Sequence, residues 1–85
     1  MILLARGKVH FAQGEWNPAI TTLEKVVHEY GQSHAAPEAV YYRGVTRYKS
    51  THKPEPLKEA YEKLQSAYPS SIWAKRALPY RLLET

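Results

Sequence analysis

Four histidines are the side chains best suited to acid–base catalysis or metal binding in this chain of 85 residues: His10, His28, His34 and His52. A helical zinc site needs two histidines four residues apart with an acidic residue between them, and no pair here has that spacing. The chain also has no cysteine, which excludes a thiolate zinc site and a thiol nucleophile. The sequence therefore predicts no metal and no other cofactor.

Carboxylates and glycines give no stronger indication of an enzyme. Glu55 and Glu59 lie four residues apart on the solvent face of a predicted helix. A general acid needs a carboxyl group whose pKa is raised by burial, and carboxylates surrounded by water lack that burial. The four glycines are scattered and form no phosphate-binding loop. We predict that the chain is not an enzyme.

The elements that carry these residues are all helical. Apolar residues recur at helical spacing along the chain, and no segment shows the sustained alternation of a strand. This pattern predicts one all-α domain over residues 1–85. We expect a helix–turn–helix unit over about 1–34, a second over about 35–70, and a final helix over about 71–82.

Helix boundaries are predicted from capping and helix-breaking residues. Asn17 is expected to cap the second helix, with Pro18 at its first position, where the missing N–H of proline costs nothing. Ser70 or Ser71 is expected to cap the final helix. Pro79 should kink or end that helix near residue 78.

The two units are copies of one another. Six residues of the first unit match six of the second at an offset of 38: Pro18, Leu23, Glu24, Lys25, Val26 and Tyr30 match Pro56, Tyr61, Glu62, Lys63, Leu64 and Tyr68. Upstream, the pair Arg6-Gly7 matches Arg43-Gly44 at an offset of 37. The one-residue difference is confined to a turn, as expected for two related helical hairpins. The chain is therefore predicted to be a repeat protein.

Paired helices at this period resemble the tetratricopeptide repeat, whose period is about 34 residues. The stretch GKVHFAQGEWNPAI, residues 7–20, looks much like the signature of that family, with glycines in the first helix and at the turn. Small Gly7 and Ala19 would let the two helices of one repeat approach closely. The resemblance implies a right-handed stack of two such repeats plus a C-terminal capping helix. It also implies a protein–protein interaction scaffold.

The stretch YPSSIWAK, residues 68–75, looks most like bacterial envelope members of the family, including the Tol-Pal coordinator type. This resemblance implies a bacterial protein and leaves cytoplasm and periplasm open as its compartment. Residues 1–5 are apolar, but Arg6 and Lys8 follow at once, so the apolar stretch is too short for a signal peptide. Since two repeats bury little area, we expect the chain to be a piece of a longer protein, or to form a homodimer.

Charge alternates between the predicted helices of a chain whose net charge is +4. The first helix of each unit is basic and the second is acidic. Because first helices line the concave groove in the family, the resemblance implies a basic groove here. The candidate groove residues are Lys8, Phe11, Tyr41, Val45, Tyr48 and Lys49. Further positive charge is expected from Arg43 or Arg47 and from Arg76, whereas Tyr30, Tyr61 and Tyr68 are expected in the core.

A basic groove with aromatic residues predicts a partner peptide or domain with acidic and apolar side chains. Nucleic acid is an alternative, because Tyr41, Tyr48 and Trp73 among cations could stack on the bases of RNA. The sequence contains no nucleic-acid recognition motif that would support RNA binding. It also contains no run of 18 apolar residues, so no membrane span is predicted. A purely structural or oligomerisation segment of a larger protein is a further alternative.

Overall fold

The computed structural model describes residues 1–82, which contain only helices, turns and loops. The helices are α1 (Ile2–Ala12), α2 (Trp16–Glu29), α3 (Ala35–Thr51), α4 (Glu55–Ala67) and α5 (Ile72–Arg76), followed by a 3₁₀ helix (Leu78–Leu82). Each of the first four packs against the next one along the chain, and α5 and the 3₁₀ helix pack on α4. The predicted all-α stack of two helical hairpins is confirmed.

The turn between α1 and α2 depends on a glycine in the left-handed region. Gly14 has φ of 75°, and its N–H donates to the carbonyl of Phe11 at 3.1 Å. The N–H of Glu15 donates to the carbonyl of His10 at 2.9 Å. These two bonds form a Schellman motif, which satisfies carbonyls that the end of a helix leaves unpaired.

The expected cap of α2 is wrong by two residues. The helix begins at Trp16, and the carbonyl of Glu15 accepts its first bond from the N–H of Ala19 at 3.0 Å. Asn17 and Pro18 therefore lie inside the first turn. Proline is tolerated there because the first four N–H groups of a helix have no partner within it.

One glycine in each hairpin sets the distance between its two helices. A Cβ on Gly7 would lie 2.7 Å from the Cδ2 of Leu23, and one on Gly44 would lie 2.6 Å from the Cβ of Ala60. Both distances are shorter than the contacts that Cβ atoms make in proteins, so neither position has room for a side chain. The repeated Arg-Gly pair thus marks the point where the first helix of each hairpin touches the second.

The core has two clusters, and each of them joins a hairpin to the element that follows it. The first contains Leu4, Leu23, Val26 and Ala39, and the second contains Val40, Ala60, Leu64, Ala74 and Ala77. Tyr61 and Tyr68 pack against the second cluster, as expected. The hydroxyl of Tyr68 also donates to the carbonyl of Gly31 at 2.8 Å, which joins the end of α4 to the loop after α2.

Tyr30 was expected in the core and is instead 44% exposed. Its counterpart Tyr68 is covered because the loop after α2 lies against it. Among the residues described, no hairpin occupies the corresponding place beside Tyr30. The repeat pattern identified the equivalent position correctly, but its burial depends on a neighbour.

The final helix is shorter than expected. Ser71 caps it, since its Oγ accepts from the N–H of Ala74 at 3.0 Å, but α5 ends at Arg76 and a 3₁₀ helix follows. Pro79 lacks the N–H that would bond to the carbonyl of Lys75, and its ring would clash with that carbonyl. The α-helix therefore stops before residue 78.

Within residues 1–82, no helix is both long and apolar enough to cross a bilayer.

Candidate interaction surface

Six aromatic rings form a continuous series across α1, α2, α3, α5 and the 3₁₀ helix. We call this series the aromatic run: Trp16, Phe11, Tyr42, Trp73, Tyr41 and Tyr80. Neighbouring ring centroids lie 5.9, 5.5, 5.7, 5.1 and 6.1 Å apart in that order. These are the separations of tilted, edge-to-face and offset-stacked pairs. The run connects the first helices of both hairpins with the capping helix.

Two cations lie over faces of the aromatic run. The Nζ of Lys8 is 5.3 Å from the ring centroid of Tyr42, and the guanidinium of Arg76 is 4.7 Å from that of Trp73. Both distances suit cation–π attraction, which favours Arg and Trp most strongly. The surface therefore combines apolar ring area with positive charge from two different helices.

Lys8 also has a carboxylate partner. Its Nζ donates to Oε2 of Glu38 on α3 at 2.8 Å, and the two side chains are 43% and 19% exposed. This hydrogen bond raises the pKa of Lys8 above its usual value of 10.5, against a smaller effect of burial in the opposite direction. An ammonium group has three donors, so Lys8 keeps capacity for a second acceptor.

The candidate groove residues fall into two groups. Phe11 and Tyr41 belong to the aromatic run, and Lys8 lies over it. Val45, Tyr48 and Lys49 continue along α3 beyond the run, on the same side as Tyr41 because they follow it by four, seven and eight residues. Tyr48 is 40% exposed. The structure thus brings the first three together and leaves the others as an extension along α3, in which Tyr48 and Lys49 are exposed.

Tyr42 is the central residue that sequence reasoning missed. Its ring contacts those of Phe11, Tyr41 and Trp73, and Lys8 lies over it. The sequence feature that could have identified Tyr42 is its position next to Tyr41. Neighbours on a helix point about 100° apart, so the two rings, which both contact Trp73, differ in the other elements that they reach. Tyr41 faces the 3₁₀ helix, and Tyr42 faces α1.

Arg43 and Arg47 do not join the aromatic run, contrary to expectation. Arg47 pairs with Glu24 of α2 and lies 3.9 Å from Glu59 of α4. Arg43 is partly buried, and this burial lowers its pKa, assisted by the neighbouring charge of Arg47. Arg43 follows Tyr41 by two residues, which turns it about 200° around the helix toward the second helices.

The histidines form no metal site in the part of the chain that the structure describes. No three His, Cys, Asp or Glu side chains lie close enough together there to hold an ion. The Nδ1 of His10 is instead 2.8 Å from Oε1 of Glu15 at the turn after α1.

The first hairpin is similar to a known family of helical repeats. A family model described as tetratricopeptide repeat matches residues 2–33, which span α1 and α2. Residues 2–33 are thus similar to a tetratricopeptide repeat. Tetratricopeptide repeats are generally protein–protein interaction modules, typically without enzymatic activity. Comparisons with curated proteins and with solved structures gave no match.

The contact between Tyr41 and Tyr80, at the end of the aromatic run, allows the packing of the 3₁₀ helix on α3 to be tested by varying the pH. The hydroxyls of Tyr41 and Tyr80 are 3.3 Å apart. Burial, and then the hydrogen bond with Tyr41, raises the pKa of Tyr80 from 10.0 to about 12. As the pH rises, the Tyr80 hydroxyl is deprotonated in the unfolded protein before it is deprotonated in the folded one. The contribution of Tyr80 to stability is therefore present below about pH 10 and is lost toward pH 12.

We therefore expect the urea midpoint of the wild type to fall more steeply between about pH 10 and 12 than that of Tyr80→Phe. Tyr48→Phe, which removes an exposed hydroxyl, is the matched control and should follow the wild type. If Tyr80→Phe and the wild type have the same pH profile, the two hydroxyls are not coupled in the folded protein.

Proposed function

We propose that the chain is a protein–protein interaction module that binds an extended peptide with acidic and apolar side chains along the aromatic run. The observation that carries this proposal is the placement of Lys8 over the ring of Tyr42 on α3 and of Arg76 over the ring of Trp73 on α5. Partly exposed rings provide contact area at low entropic cost, and cations beside them attract carboxylates.

The proposed contact surface includes the groove residues expected from the sequence: Lys8, Phe11, Tyr41, Val45, Tyr48 and Lys49. To these the geometry adds Tyr42 and Trp73, and Arg76, which was expected to contribute positive charge, lies over the ring of Trp73. The bond between Lys8 and Glu38 supports the choice of partner, because Lys8 pairs with a carboxylate while it lies over the ring of Tyr42. A peptide carboxylate would use the same kind of contact.

The resemblance of residues 68–75 to bacterial envelope members, including the Tol-Pal coordinator type, adds a finer proposal. The module would then work as part of a longer bacterial protein, where its partner is another protein of the same assembly.

A fluorescently labelled peptide of twelve residues with alternating Asp and Leu is a suitable probe. We expect micromolar affinity that weakens as salt rises from about 50 mM to about 500 mM, since exposed charges are screened. The double substitution Lys8→Gln with Arg76→Gln should weaken binding by about tenfold. Lys53→Gln with Lys58→Gln removes the same net charge from the α3–α4 turn and the start of α4, and should leave most of the affinity.

Two results would overturn the proposal. One is equal weakening by both double substitutions, which would indicate that only the net charge of the chain matters. The other is tighter binding of a single-stranded oligouridine than of the acidic peptide, which would favour RNA as the partner.

A further inference from the structure

An acidic side chain lies beside the aromatic run, on the surface that we propose attracts acidic partners. Glu38 is in the first turn of α3, four residues before Tyr42, so the two side chains lie on the same face of that helix. The Nζ of Lys8 donates to Oε2 of Glu38 at 2.8 Å and is 5.3 Å from the ring centroid of Tyr42. One ammonium group therefore contacts both a carboxylate of the chain itself and a ring of the aromatic run.

The surroundings of Glu38 hold its carboxylate in this place. Its side chain is 19% exposed, and its neighbours Pro37 and Ala39 are buried. Its position in the first turn of a helix of 17 residues also favours a negative charge, because the N-terminal end of a helix carries partial positive charge. The side chain of Lys8 is 43% exposed. A partner can therefore reach the ammonium group of Lys8, and it meets Glu38 already bound there.

The charge of Glu38 reduces what a second carboxylate gains from Lys8. Lys8 and Glu38 together have no net charge, and two acceptors on one ammonium group lie only a few Å from each other. Two unit charges about 4 Å apart in water interact with an energy that corresponds to about a fivefold change in affinity. A carboxylate of a partner is thus attracted by Lys8 and repelled by Glu38 at the same point of the surface.

We propose that Glu38 is a specificity-determining residue of this surface: it competes with the carboxylate of a partner for Lys8 and limits the preference for acidic over uncharged peptides. This inference rests on the proposed function. The native chain then distinguishes acidic from uncharged partners only moderately, and the distinction increases when the charge of Glu38 is removed.

Glu38→Gln tests the proposal, because glutamine keeps the shape of the side chain and an oxygen that accepts from Lys8 but has no charge. The probes are the labelled peptide of alternating Asp and Leu and the same peptide with Asn in place of every Asp. We expect Glu38→Gln to bind the Asp peptide about fivefold more tightly than the wild type does. It should bind the Asn peptide within about twofold of the wild type, since no charge repulsion is relieved.

Two further variants show whether the gain depends on Lys8. Glu62→Gln removes the same charge from an exposed position of α4 outside the aromatic run, and should change either affinity by no more than about twofold because exposed distant charges are screened. The double substitution Lys8→Gln with Glu38→Gln should lose most of the gain relative to Lys8→Gln alone.

The reactivity of Lys8 toward acetic anhydride is a readout that needs no peptide. The hydrogen bond with Glu38 raises the pKa of Lys8, so Glu38→Gln should increase the rate at which Lys8 is acetylated, and Glu62→Gln should leave it unchanged. Mass spectrometry of the proteolytic fragment that contains Lys8 measures this rate.

Three outcomes would overturn the inference. Weaker binding of the Asp peptide by Glu38→Gln would show that Glu38 positions Lys8 for the partner. Equal gains from Glu38→Gln and Glu62→Gln would show an effect of net charge, and an unchanged acetylation rate would show that the two side chains are not paired in solution. Each of these outcomes leaves peptide binding by the wild type in place. Absence of binding by every variant would instead overturn the proposed function, and this inference with it.

Discussion

Gly44→Ala is expected to destabilise the protein by about 3 kcal/mol, at the upper end of the usual cost of overpacking a core. The added Cβ would lie 2.6 Å from the Cβ of Ala60 and 3.0 Å from the carbonyl oxygen of Pro56. Neither neighbour can move by rotating a side chain, so α3 and α4 must separate. Urea unfolding followed by circular dichroism measures the loss.

Two further substitutions serve as controls for Gly44→Ala. Ser50→Ala adds no contact on an exposed part of α3 and should stay within about 0.5 kcal/mol of the wild type. Ala60→Gly removes the clashing methyl group, so the double substitution should cost less than the sum of the two single ones. Additive costs would show that the helices do not meet at these two residues.

Tyr42→Ala is expected to weaken binding of the acidic peptide by about 2 kcal/mol, a loss of about 30-fold. The substitution removes the ring that joins Phe11 to Trp73 and the face over which Lys8 lies. Tyr42→Phe keeps the ring and should bind almost as tightly as the wild type. Fluorescence anisotropy gives the affinities.

Tyr42 also packs against the first core cluster, so binding and thermal unfolding must be measured on the same variants. Tyr48→Ala is the comparison at an exposed position of the same helix. It should cost about 1 kcal/mol of binding and leave stability unchanged. If Tyr42→Ala stays folded and binds the peptide with wild-type affinity, the aromatic run is not the binding surface.

Much of the fold could be predicted because its signals are local. Helical periodicity, the absence of strand alternation and the repeated Arg-Gly pair depend only on residues close in sequence. The same residues then explain the close approach of α1 to α2 and of α3 to α4. The predicted cap at Asn17 failed because a Schellman turn at Gly14 starts α2 earlier than the side-chain preference for capping indicates.

The candidate surface was predictable only in part. The resemblance to the family indicated the first helices, and Lys8, Phe11 and Tyr41 of these helices lie at the aromatic run. Arg43 and Arg47 were assigned to the groove from their sign of charge, but the carboxylate of Glu24 on α2 holds Arg47 elsewhere. Charge counted along a helix does not show which side of that helix meets a partner.

The sequence by itself determined which residues share a helix face and which positions of the two hairpins are equivalent. Tertiary structure decided which equivalent positions are covered: Tyr68 is packed against a neighbouring loop, whereas Tyr30 is exposed. It also brought Tyr42, Trp73 and Arg76 together from α3 and α5. The physical reason is that periodicity comes from the geometry of one helix, while burial and ring contacts depend on which other helix packs against it.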